Sequence, residues 1–125
     1  MNIRRGDIVW VEFRSGNGHV QRGRRPCVVV STDRVNRYAS IINVIPGTTK
    51  LERKDNPVHL TVKKNDMSGF MGKDTLFLTE QITAVDIDQV LSKTGHLKEK
   101  TISCLNDVII RQLGLKEEII NENTK

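Results

Sequence analysis

Two cysteines and five aromatic residues in 125 positions exclude several designs at the outset. Cys27 and Cys104 lie far apart, with no second cysteine at metal-ligand spacing, so they build no disulfide framework and no metal site. Cys27 falls in the apolar run PCVVV and Cys104 in a helical pattern. Both therefore read as small buried side chains in a reducing compartment, with the cytoplasm as the expected location. One Trp, one Tyr and three Phe leave little scope for extensive stacking on bases, so any grip on nucleic acid must lean on charge and hydrogen bonds. No apolar run approaches the roughly 18 residues of a membrane span, and MNIRRGDIVW lacks the apolar region of a signal peptide. No membrane association is expected. His19, His59 and His96 are scattered, and there is no glycine-rich nucleotide motif, metal-ligand cluster or serine-centred elbow. Neither a metal nor another cofactor is expected.

What is present is positive charge, unevenly placed. The formal net charge is +5. Residues 1–50 carry nine Lys or Arg against three Asp or Glu, while the remainder carries eleven against twelve. Arg14, Arg22, Arg24, Arg25, Arg34 and Arg37 make the N-terminal excess, the electrostatic footprint of a phosphate-binding surface. Charge alone describes a solvated basic face equally well. At 14.2 kDa the chain encloses one modest core. A single domain over 1–115 is expected, with 116–125 as a tail that extends the last helix or frays.

DIVWVEF (7–13) is rich in strand formers and alternates imperfectly, with Ile8, Trp10 or Val11, and Phe13 apolar; it reads as a first strand. Residues 14–24 hold three glycines and no apolar period, a surface loop of unusual length for a hairpin. PCVVVS fits a strand buried on both faces, with Pro26 as its first residue. Asp33 is expected to cap a turn of helix through Arg37. SIINVIP then gives a third strand stopping at Pro46-Gly47. Residues 50–56 read as a polar, mobile connection, and Pro57–Val62 as a fourth strand with Val58, Leu60 and Val62 inward and His59 and Thr61 outward. MSGFMG is a turn, TLFLT (75–79) a fifth strand, and the region of Val90–Leu97 another short one. From Lys98, Ile102, Leu105, Val108 or Ile109, and Leu113 recur at threes and fours, predicting an amphipathic helix that ends at Gly114. Short strands followed by one terminal helix indicate a mainly β barrel with helical additions.

Two short stretches carry candidate chemistry. Gly23-Arg24-Arg25-Pro26 puts two guanidiniums where a long loop enters a buried strand. An arginine anchored there is preorganised for a bidentate phosphate contact, or it pairs with Asp7 or Glu12 to close the end of the barrel. Pro46-Gly47-Thr48-Thr49 puts two hydroxyls after a strand, where they donate to a phosphate or hold a turn.

Read in order, RGDIVWVEF, GRRPCVVVS, NVIPGTT, TLFLTEQITAVDID and the terminal helix to LGL resemble the MazF/PemK family of toxin–antitoxin endoribonucleases, over residues 4 to about 115. The resemblance implies an SH3-like small β-barrel with a C-terminal helix, a homodimer, and metal-independent cleavage of single-stranded RNA at short sequences, blocked by a cognate antitoxin. It places the family's catalytic arginine on Arg25 and its threonine on Thr48. Gln21, Arg24, Thr49, Glu80 and Gln81 fall at substrate-binding positions, with Glu80 and Gln81 serving either RNA contact or site architecture. One departure stands out: many members carry Gly-Ser-Glu-Gln in the first loop, where this chain has Gly18-His19-Val20-Gln21. The loop acid is missing. Cleavage by 2′-hydroxyl attack gives a 2′,3′-cyclic phosphate and a 5′-hydroxyl, and it needs a base, charge stabilisation and an acid. A guanidinium is a poor proton acceptor, so Arg25 suits charge stabilisation and His19 is the candidate base. Two other readings share the fold: a CcdB-like toxin that poisons DNA gyrase, and an inactive relative that binds RNA or antitoxin.

Overall fold

The computed structural model describes residues 1–14, 22–52, 55–70 and 72–115. His19, Gln21 and the 116–125 tail lie outside them. The strands are β1 (Asp7–Phe13), β2 (Gly23–Val29), β3 (Ile41–Thr48), β4 (His59–Val62), β5 (Met67–Ser68), β6 (Thr75–Leu78), β7 (Thr83–Asp86) and β8 (Val90–Leu97); the helices are α1 (Asp33–Tyr38) and α2 (Glu99–Leu113). Every pairing is antiparallel, in the order β4-β6-β3-β2-β1-β8-β5 with β7 beside β3. The sheet does not close on itself. The expected mainly-β, barrel-like architecture with a terminal helix is what the chain adopts.

The imperfect alternation of DIVWVEF has a physical cause. Ile8, Val9 and Val11 are all fully buried, because β1 lies between two apolar layers. Val9 and Val11 join Cys27, Val29, Ile42 and Val44 on one side. Ile8 joins Val28, Ile45, Phe77, Leu97 and Leu105 on the other. Successive side chains of a strand point to opposite faces, so Ile8 enters one layer and Val9 and Val11 the other, while the register against β8 shifts at Ile8/Val9 and Trp10/Val11.

Several local expectations need correcting. Pro26 stands inside β2, paired with Trp10, at a point where β3 has not yet begun to pair; β2 meets β3 only from Cys27 to Val29, so a residue without an N–H costs little ladder there. β3 does not stop at Pro46-Gly47 but runs to Thr48. It pairs with β7 over Ile41–Val44, with β2 over Val44–Pro46 and with β6 over Gly47–Thr48. Gly47 permits the last exchange, since a Cβ there would sit 2.5 Å from Thr75 Cγ2 and 3.1 Å from the Phe77 ring. The cap of α1 is Thr32, whose hydroxyl accepts from Val35 N, while Asp33 accepts from Arg5 N at 2.6 Å. β4 begins at His59 rather than Pro57, and His59 is buried while Leu60, and Val58 just before the strand, are only half-buried, because α2 and the turn after β6 pack against that strand.

The helix α2 buries Leu105 against the second apolar layer, with Ile102 and Ile109 half-buried beside it. Burial of Leu105 contributes about 2 kcal/mol. Gly114 ends the helix at φ +69, and Leu115 N donates to Ile110 O at 2.9 Å, as a left-handed C-cap requires. The apolar stripe is shorter than expected, for Leu113 is 48% exposed. Cys104 is exposed as well, on the face turned away from the sheet; only Cys27 is buried. No helix among the described residues is long and apolar enough to cross a membrane.

Candidate active site

Arg25 is placed by strand β2. Its neighbours Pro26–Val29 are buried, which holds the backbone, while Gly23 and Arg24 project beyond the core. Arg25 Nε donates to Arg22 O at 3.3 Å, and among the described residues the guanidinium has no carboxylate partner. Both anticipated competitors are engaged elsewhere. Asp7 is buried and accepts from Arg4 N at 2.8 Å, with His96 Nδ1 at 2.7 Å and Lys93 Nζ at 3.2 Å. Glu12 faces Arg24, at 3.9 Å between exposed side chains, a contact too long and too solvated to hold that arginine firmly.

Thr48 is the last residue of β3, opposite Leu76. Its Oγ1 accepts from Lys50 N at 3.2 Å, which makes the expected turn and leaves the hydroxyl hydrogen to donate outward. Turn and donor are one arrangement.

Arg24, Arg25, Thr48 and Thr49 line a single cleft of about 290 Å³, together with Trp10, Pro26, Gly47, Phe70, Gly72 and Lys73. It continues through Thr49 and Lys73 into a shallower depression that includes Lys64 and Asp74. Two strands distant in sequence thus deliver two arginines and two hydroxyls to one concavity. That set can hold a phosphate by bidentate and single hydrogen bonds, and a guanidinium there stabilises added negative charge.

Glu80 and Gln81 lie elsewhere. They sit in a 3₁₀ turn, Thr79–Gln81, between β6 and β7. With Phe13, Arg14, Thr83 and Gln89 among others they line a second cleft of about 470 Å³, which reaches β3 at Pro46, next to Gly47 of the first. Glu80 Oε2 lies 2.7 Å from Nε2 of the buried His59, and its Oε1 is buried. This inward carboxylate joins the turn to β4, an architectural use. Gln89 caps the following turn by accepting from Asp86 N at 2.9 Å and donates to Glu12 O at 3.1 Å.

Trp10, Phe70 and Lys73 were not singled out by sequence reasoning. The available signal is Trp10 itself, the single tryptophan of the chain. The composition of MSGFMG describes only a turn, which conceals Phe70. Among the described residues no three His, Cys, Asp or Glu side chains converge as a metal site.

The family model of PemK-like, MazF-like toxins of type II toxin–antitoxin systems matches residues 4–113. The chain belongs to this family. It is 29% identical over 113 residues to endoribonuclease MazF of Staphylococcus saprophyticus, a match covering 90% of this chain and 92% of that protein. The crystal structure of MazF from Deinococcus radiodurans shares the fold with a TM-score of 0.77 at 21% identity, covering 92% of this chain and 99% of that one. A mycobacterial endoribonuclease in complex with its cognate antitoxin does so with a TM-score of 0.68 at 18% identity, covering 92% and 96%.

Proposed function

We propose that this chain is the toxin of a type II toxin–antitoxin pair and a metal-independent endoribonuclease, cutting single-stranded RNA in the cleft of Arg25 and Thr48. The observation that carries the reading is the meeting of Arg24, Arg25, Thr48 and Thr49 in one cleft, with Arg25 free of any carboxylate among the described residues. A substrate 2′-hydroxyl loses its proton to a base and its oxygen bonds to phosphorus. The P–O5′ bond breaks, and the 5′-oxygen takes up a proton. The products are a 2′,3′-cyclic phosphate and a 5′-hydroxyl. Arg25 supports the charge of the pentavalent intermediate and Thr48 donates to the same phosphate. His19, between β1 and β2 in the sequence and outside the described residues, is the proposed base. Gln21 and Gln81 are proposed to contact RNA, while Glu80 shapes the neighbouring cleft.

The working unit in this reading is a homodimer in the cytoplasm, for which the exposed Val35, Tyr38 and Ile41 offer apolar surface. A cognate antitoxin covers the cleft, in keeping with the relatives solved as complexes. The test is incubation of the protein with a long single-stranded RNA in EDTA, followed by analysis of the ends. Discrete fragments with cyclic-phosphate ends, reduced on the order of 10²-fold or more by Arg25→Ala, are expected. Intact RNA with stalled gyrase supports the CcdB-like reading instead, and intact RNA that stays bound supports an inactive relative.

A further inference from the structure

The cleft holds more than phosphate ligands. Beside Arg24, Arg25, Thr48, Thr49 and Lys73, its lining includes Trp10, Pro26 and Phe70. Trp10 is the only tryptophan of the chain, and it is half-buried although Ile8, Val9 and Val11 around it are fully buried. A large aromatic left partly open beside two arginines is unlike the rest of this core. Its indole N–H makes no hydrogen bond among the described residues, although such a donor is usually satisfied when the ring packs inward. Phe70 is also half-buried and packs against the apolar layer below. A Cβ on Gly72 would lie 2.3 Å from the end of the Phe70 ring, so glycine at 72 lets the ring take its place in the wall.

Phosphate ligands and aromatic rings lining one cleft have the chemistry to hold one nucleotide. Building on the RNA-cleaving reading above, we infer that Trp10, with Phe70, is a stacking platform for the nucleobase adjoining the phosphate held by Arg25 and Thr48. Aromatic stacking does not depend on base identity, because every base has a π-face. Trp10 therefore positions the strand whatever its sequence. Discrimination between bases falls to polar side chains such as Gln81, Thr83 and Gln89 of the neighbouring cleft. The scarcity of aromatics in the whole chain conceals this local pairing: two of the five share one cleft.

The platform has a direct readout, since all tryptophan fluorescence comes from Trp10. The probe is a mixed-sequence single-stranded 2′-O-methyl oligoribonucleotide, which lacks the attacking hydroxyl and survives the titration. With wild-type protein, saturable quenching is expected at the same concentrations at which fluorescence anisotropy of a labelled probe reports binding. Trp10→Leu weakens binding tenfold or more, while Trp10→Phe, which keeps a ring for the base, stays within about threefold of wild type. A thermal melt of each variant checks the fold. Binding by anisotropy with no change in tryptophan emission overturns the platform, as does a folded Trp10→Leu that binds as tightly as wild type. Either result leaves RNA cleavage at Arg25 standing. Absence of binding by the wild type overturns both, and a response of Trp10 to an acidic peptide but not to RNA overturns the platform by assigning the wall to a protein partner.

Discussion

Gly47 connects packing to chemistry, and replacing it tests that connection. In Gly47→Ala the new methyl would stand 2.5 Å from Thr75 Cγ2 and 3.1 and 3.2 Å from two ring carbons of Phe77. Thr75 and Phe77 are both fully buried and held in β6, so neither can simply swing aside. Overpacking of this kind costs about 1–3 kcal/mol, a fall in Tm of roughly 4–12 °C for a chain of this size. Relief means opening the pairs Gly47–Phe77 and Thr48–Leu76, which moves Thr48 away from Arg25. RNA cleavage should therefore fall more steeply than stability. Thr75→Ser removes the offending Cγ2 and keeps the hydroxyl that donates to Lys73 O at 2.9 Å, losing by itself about 1 kcal/mol for one buried methyl. In the double variant the two losses should not add: it should be no less stable than Gly47→Ala alone, a coupling of about 1 kcal/mol or more, with part of the cleavage recovered. The assay is denaturant unfolding of all four proteins beside initial cleavage rates. Strict additivity, or a Gly47→Ala protein with the wild-type Tm and rate, would refute the reasoning.

Three further outcomes are expected. Lys73 lies where the cleft continues toward Lys64, so Lys73→Ala should weaken RNA binding and lower the slope of log K against log salt by about one; an unchanged slope would remove Lys73 from the phosphate path. If His19 takes the 2′-hydroxyl proton, the rate should rise with pH through about 6.5 as imidazole loses its own proton, and His19→Ala should abolish that rise; identical profiles would exclude it. Cys104 should react with a thiol reagent in the folded protein and Cys27 only after unfolding, because Cys27 is enclosed and burial pushes its thiol well above the ordinary range. Two thiols reacting at one rate in native buffer would contradict that enclosure.

Sequence periodicity resolves those elements whose burial follows a single period. α2 shows the stripe of Ile102, Leu105 and Ile109, and its glycine cap falls where expected at Gly114. The PCVVV run is buried from Pro26 to Val29, with Val30 half-buried just beyond β2. Periodicity fails where one residue serves two partners. Pro46-Gly47 is a breaker by local chemistry, yet β3 continues through it because each stretch of the strand pairs with a different neighbour. His59 obeys strand alternation only if one face of β4 is open. α2 and the turn carrying Glu80 cover it, and tertiary packing overrides the pattern. Asp33 has the side chain of a cap, but it accepts from Arg5 N, so Thr32 caps α1 instead.

The site was legible in its charged half and obscure in its apolar half, for one physical reason. A guanidinium beside a buried strand narrows the options to two, phosphate or carboxylate, and the three-dimensional structure decides by showing where the carboxylates go. Asp7 could have closed the barrel end against Arg25; buried among Arg4 N, His96 and Lys93, it instead anchors the start of β1 to β8. Glu12 lies one register step away, opposite Arg24. That leaves Arg25 charged at the mouth of a cleft without a carboxylate among the described residues, an arrangement that gains little in stability and is suited to an anionic ligand. An aromatic side chain carries no such exclusion in sequence, since a tryptophan in a strand is ordinarily core. Trp10 becomes informative only once its neighbours Val9 and Val11 prove fully buried and it does not, and it shares its cleft with Arg24, Arg25 and Thr48.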